Sequence, residues 1–118
     1  MTRVRGIRGA TTTVSNSEEA VVEAVAELLA RLVDGNGIAV DDVAAVIFTA
    51  TDDVDSVYPA AVARKVLGWE YVPLLDVQQM KTSEGVDLCI RVLMLVNTDK
   101  KPEELEHAYL RGASDLRK

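Results

Sequence analysis

The nine residues Leu88–Val96 (LCIRVLMLV) constrain the fold more than any other part of the chain. The run is far too short to span a membrane and is rich in branched side chains, so it predicts a β-strand. All but Arg91 are apolar, on both sides of a pleat, which predicts a central strand. A chain of 118 residues has room for one domain around such a strand, residues 1–118.

The rest of the chain supplies partners for it. Residues 2–12 (TRVRGIRGATT) alternate loosely and end in β-branched threonine, predicting a first strand. Ser15 with Glu18, or Asn16 with Glu19, has the spacing of a capping box. Val21, Val25, Leu28, Leu29, Leu32 and Val33 then recur at helical intervals until Gly35-Asn36-Gly37. Val43–Thr51 reads as a second strand and Asp52-Asp53-Val54-Asp55 as a loop. Tyr58-Pro59 opens a second helix that ends at Gly68. Tyr71–Asp76 predicts a third strand, Ser83-Glu84-Gly85 a turn, and Pro102–Glu106 a helical turn. His107–Arg111 fits a fifth strand or a helix. Strands alternating with helices predict an α/β or α+β domain around one sheet.

Composition narrows the function classes. Aromatic residues are only 4 %, so the core is aliphatic, buries little area per side chain, and predicts an oligomer. Thirteen basic against nineteen acidic residues give a net charge of −6, which argues against nucleic-acid binding. No apolar run is long enough for a membrane span, and MTRVRGIRG lacks the apolar core of a signal peptide. Cys89 is the only cysteine, so a reducing cytoplasm is expected. One histidine and one cysteine cannot build a His/Cys metal site within a subunit. His107 is the sole candidate for a catalytic triad, nothing near it resembles a nucleophile elbow, and no phosphate-binding glycine motif occurs.

Arginines remain as the informative side chains. Arg91 sits inside the apolar run, where a bare charge costs several kcal/mol unless an anion meets it. A structural ion pair answers that need, and so does a site for an anionic ligand matched to the planar guanidinium fork. Arg8 shares strand parity with Val4 and Ala10, which points it either inward or, at a twisting strand end, into solvent. Arg64 follows Pro59 in the short helix, and Tyr109 is either core or a hydroxyl donor.

The segment Arg5-Gly6-Ile7-Arg8-Gly9-Ala10-Thr11-Thr12 strongly resembles the opening of the trimeric α/β class of chorismate mutases. The resemblance continues through Thr49-Ala50-Thr51, Val57-Tyr58-Pro59-Ala60, Gly68-Trp69-Glu70-Tyr71-Val72-Pro73, Cys89-Ile90-Arg91-Val92, Asn97-Thr98-Asp99 and His107-Ala108-Tyr109-Leu110. It implies an α+β fold whose mixed sheet carries helices on one face. It also implies a homotrimeric pseudo-α/β-barrel with active sites at subunit interfaces. The implied reaction is the Claisen rearrangement of chorismate to prephenate, an isomerisation in aromatic amino-acid biosynthesis (the shikimate pathway). Such a pericyclic step needs no cofactor, metal or nucleophile.

Carried over by position, the resemblance implies that Arg91 donates to the ether oxygen of the breaking bond. Arg8 holds a substrate carboxylate and Tyr109 adds a hydrogen bond to one. Tyr58 stands where the family often has Phe and forms an apolar wall. Arg64 lies at the rim from the neighbouring subunit, and Leu116 sits in the short segment Ser114-Asp115-Leu116-Arg117 that covers the entrance, with no longer tail to close over it. Two positions depart from the family: Asp76 replaces a neutral residue, often Cys, and Gln79 replaces a Glu that contacts the substrate hydroxyl. The pair still carries one negative charge, which predicts that the carboxylate has moved from residue 79 to residue 76. The alternative is a weakened site, or a trimer of this fold that only binds a small carboxylate.

Overall fold

Side-chain alternation along five strands gives the sheet two unlike faces, and that difference sets where a site can form. The structure is a computed structural model and describes residues 1–116. The strands are β1 (Arg3–Thr12), β2 (Val43–Ala50), β3 (Leu74–Gln78), β4 (Cys89–Thr98) and β5 (Ala108–Tyr109), in the spatial order β3-β2-β4-β1-β5. The sheet is mixed: β4 runs antiparallel to β1 and β2, while β3 is parallel to β2 and β5 to β1. The apolar run thus supplies the middle strand, as its two-sided hydrophobicity predicts.

One face carries Ile7, Val46, Phe48, Ile90, Val92, Met94 and Val96, all buried. Two helices cover it, α1 (Glu18–Asn36) and the short α2 (Pro59–Lys65). Val21, Val25, Leu28, Leu29 and Leu32 of α1 and Val62 and Ala63 of α2 belong to the same core cluster. Gly9 permits this close approach. A Cβ there would stand 3.0 Å from both Leu28 Cδ1 and Leu32 Cδ1 and 3.1 Å from the Ala108 carbonyl oxygen. Gly9→Ala is therefore expected to cost about 1–3 kcal/mol in urea denaturation, the usual penalty for overfilling a core.

The opposite face carries Val4, Arg8 and Ala10 of β1, Arg91, Leu93 and Leu95 of β4, Ile47 and Thr49 of β2, and Leu75 and Val77 of β3, in lateral register. A smaller apolar cluster covers only one end of it, built from Ala10, Cys89 and Ala113 with Val86, Tyr109 and Leu116 packed against them. Elsewhere the face stays open: Val4 is 57 % exposed, Leu75 56 %, Val77 44 % and Leu93 37 %.

Local starts and stops differ from the sequence reading by a residue or two at most elements, the fifth strand is only Ala108–Tyr109, and three differences have a clear physical cause. The N-cap of α1 is Ser17, whose side chain accepts from the Ala20 amide. Asn16 is engaged elsewhere, its Oδ1 accepting from the Asp55 and Ser56 amides, so a tertiary demand removes it from capping. Helix α2 ends at Lys65, and the turn that follows reaches Gly68 at a φ of 77°. The third strand begins at Leu74 rather than Tyr71, because the Val72 amide closes a turn onto the Trp69 carbonyl and Trp69 is buried in the core.

Candidate active site

Arg91 lies on β4 with Ala10 of β1 on one side and Thr49 of β2 on the other. Both neighbours are small, so the guanidinium stem has room beside them on the uncovered face. Its Nε is fully buried and has no hydrogen-bond partner among the described residues. Among the described residues neither Arg91 nor Arg8 takes part in an ion pair. A buried, unpaired donor on a cation is costly to leave unmade and implies an acceptor that the described residues do not supply.

Arg91 lines a cleft of about 690 Å³ together with Thr51, Asp53, Gln79, Lys81 and Cys89. Burial pushes the Cys89 thiol up, against the pull of the nearby Arg91 guanidinium, so the sulfur is a neutral wall rather than a nucleophile. Gln79 extends the β2–β3 pairing by donating its amide to the Ala50 carbonyl at 2.9 Å. Its Oε1 accepts from the Thr49 hydroxyl, which fixes the side chain next to Arg91 because Thr49 is the cross-strand neighbour of Arg91.

The remaining sequence candidates fall into two groups. Arg8 and Tyr109 lie on the same face as Arg91, since Arg8 pairs with Leu93 and Tyr109 pairs with Ala10. Arg8 is half-buried on this face, and its backbone amide donates to Nδ1 of His107, the residue before β5, at 2.9 Å. It points away from the helices, so its parity with Val4 and Ala10 marks the uncovered face and not the main core. Leu116 packs against the Ala10–Cys89–Ala113 cluster, whereas Arg117 lies outside the described residues. Arg8 and Tyr109 do not line the 690 Å³ cleft but extend the surface beyond it.

Tyr58, Arg64 and Asp76 form the second group, at α2. Asp76 pairs laterally with Phe48, on the helix-bearing face. Its Oδ1 accepts from the Ala60 amide at 3.0 Å and caps α2, a role that the Tyr58 side chain at the N-cap does not fill. Burial pushes the Asp76 carboxyl above the usual range, opposed by the Ala60 hydrogen bond and the charge of Arg64. Asp76 and residue 79 do not share a cleft within one protomer. Positions three apart along a strand point to opposite sides, so within a protomer Asp76 does not reach Arg91. Tyr58 is 72 % exposed and Arg64 is exposed, so these two side chains face solvent in the single chain, while Asp76 is half-buried beneath α2.

Sequence reasoning left Thr51, Asp53 and Lys81 out of the site. A Thr-x-Asp spacing at the end of a strand was the available signal, since the Thr51 hydroxyl donates to Asp53 Oδ1 across that spacing.

Comparison with known proteins places this geometry. The sequence profile described as chorismate mutase type I matches residues 4–118. Chorismate mutase AroH of Bacillus subtilis (strain 168) is 38 % identical over 114 residues, covering 97 % of this chain and 90 % of that protein. Chorismate mutase AroH of Thermus thermophilus is 44 % identical over 115 residues, covering 97 % and 93 % respectively. The solved structure of a chorismate mutase from Clostridium thermocellum matches with a TM-score of 0.89 and 38 % identity, over 92 % of this chain and 96 % of that one. With the profile spanning nearly every residue and the mixed sheet shared with a solved relative, the chain belongs to the type I chorismate mutase family.

Proposed function

We propose that the protein converts chorismate to prephenate at a site assembled from two protomers of a homotrimer. The observation that carries this reading is the buried, unpartnered Nε of Arg91 at the wall of a cleft. In the rearrangement the ether C–O bond breaks as a C–C bond forms within one molecule, and negative charge grows on the ether oxygen. A preorganised donor aimed at that oxygen binds the transition state better than the ground state. Arg8 and Tyr109, farther along the face, hold the substrate carboxylates and so select the folded conformer. Gln79 supplies an amide to the substrate hydroxyl.

The second half of the site comes from the α2 group of a neighbour: Tyr58 as a wall, Arg64 at the rim, and Asp76 as the carboxylate missing at residue 79. The open apolar face supports assembly, because exposed patches of this kind mark interaction surfaces. A cytoplasmic location accompanies this reading; no helix among the described residues is long and apolar enough to cross a membrane. The neutral Gln79 favours a second reading, a trimer that binds a small carboxylate without turning it over.

Loss of chorismate absorbance in the presence of the purified protein, run beside Asp76→Asn, separates the two. The catalytic reading expects turnover by the wild type and at least a tenfold lower kcat/KM in the variant, about the loss of one charged contact. Binding without turnover establishes the alternative, and equal rates remove Asp76 from the mechanism. Stability behaves oppositely. A raised folded-state pKa means that the contribution of Asp76 is complete at low pH and is lost as pH rises through that pKa. Asparagine keeps an acceptor for the Ala60 amide and never ionises. The urea midpoint of Asp76→Asn should match the wild type at acid pH and exceed it at neutral pH.

A further inference from the structure

Leu88, the residue before β4, has a φ of 49°, a left-handed conformation that a leucine adopts only when its surroundings impose it. Both of its backbone groups are held. Its amide donates to Asp53 Oδ2 at 2.9 Å, and its carbonyl accepts from the Thr13 amide at 2.9 Å. The next residue is held as firmly: the Cys89 amide donates to Thr51 Oγ1 at 3.0 Å, and the Cys89 carbonyl accepts from the Thr51 amide at 3.0 Å. The Thr51 hydroxyl proton in turn goes to Asp53 Oδ1. One carboxylate therefore closes a clamp that joins the end of β2 to the start of β4.

We propose that Asp53 is a positioning residue for the rearrangement: with Thr51 it locks the strained Leu88 turn and so holds Arg91, three residues on, at the wall of the cleft. This rests on the reading of Arg91 as the donor to the ether oxygen. Without the carboxylate, Leu88 relaxes toward negative φ and its amide turns to water. The first residues of β4 then lose their fixed direction, while the cross-strand pairs farther along remain. The Thr51 hydrogen bond, and the weaker one from Leu88, hold the Asp53 carboxyl below the usual range despite the opposing effect of burial. The clamp therefore persists through mildly acid pH and is lost only as pH falls through that lowered pKa.

Asp53→Ala and Asp53→Asn, assayed with chorismate, test this together with hydrogen exchange resolved at individual amides. In Asp53→Ala, kcat is expected to fall about ten- to hundredfold, as for small misplacements of a reacting group, with KM changed less than about threefold. Asp53→Asn should recover part of kcat, because its amide oxygen still accepts from Leu88. Exchange at Leu88 and Cys89 should accelerate in Asp53→Ala, with the amides of α1 unchanged. A kcat within twofold of wild type in Asp53→Ala overturns the proposal. So does faster exchange spread evenly through α1, which marks a merely structural residue. If the wild type does not turn over chorismate, the assignment of function fails, and slow exchange retained at Leu88 in Asp53→Ala separately disproves the clamp.

Discussion

Arg91→Lys is expected to lower kcat by about 10²–10³-fold, the scale seen when one preorganised donor to a developing anion is removed. Lysine preserves the charge and most of the stem, so the loss isolates the planar fork, whose Nε–H has a fixed direction that a rotating ammonium cannot reproduce. The effect falls on kcat rather than KM, because the ether oxygen becomes a strong acceptor only as the bond breaks. Folding should not suffer. The buried Nε has no hydrogen-bond partner among the described residues, and the one side-chain hydrogen bond of the guanidinium there is to the weakly accepting Cys89 thiol, so removing the group costs little and relieves an uncompensated donor. Arg91→Met is accordingly expected to be at least as stable as wild type in urea while losing more activity than Arg91→Lys. A lysine variant within threefold of the wild-type kcat defeats this account, and a large drop in stability of Arg91→Met reassigns the arginine to an ion pair in the assembly.

The parts of the fold written in local periodicity were legible in the chain. The two-sided apolar run became β4 at the sheet centre, and the helical spacing of Val21 to Val33 became α1. What failed to show was direction across the sheet. Both faces of β1 and β4 carry apolar residues, so the parity of Arg8 with Ala10 did not say which side the helices would occupy. Gly9 decides it in three dimensions, where Leu28 and Leu32 need the space that a Cβ would take. Asp76 shows a related limit. Counting charge along residues 76–79 treats them as one neighbourhood, but strand alternation separates them, and the capping demand of α2 claims the carboxylate. The Asp53 clamp was hidden for another reason: its partners Leu88 and Cys89 lie more than thirty residues away in sequence and meet it only once β2 and β4 pair.

Leu75→Asp is expected to abolish at least 99 % of activity without touching a side chain assigned to the chemistry, an effect of the size that follows when a site loses half of its groups. Leu75 is 56 % exposed in the protomer, so a carboxylate there costs the single chain little. On the sheet it lies beside Ile47 of β2, which in turn pairs with Leu93 of β4, within the uncovered apolar face that the proposed homotrimer would bury. A charge buried at a subunit interface without a partner is strongly destabilising, so on the proposed homotrimeric reading the assembly should dissociate in sedimentation while circular dichroism stays native. On that reading each freed protomer retains Arg8, Gln79 and Arg91 but lacks the Tyr58, Arg64 and Asp76 that a neighbour is proposed to supply. Co-refolding gives the same division an independent measure. Arg91→Met and an Arg64→Ala, Asp76→Asn double variant are each nearly inactive, but a one-to-one mixture assembled at random restores both halves at roughly a quarter of its interfaces. Activity near a quarter of wild type demands a site shared between protomers, whereas no recovery means that a single chain holds every group it needs and that the separation of Asp76 from Arg91 places the acid outside the reaction.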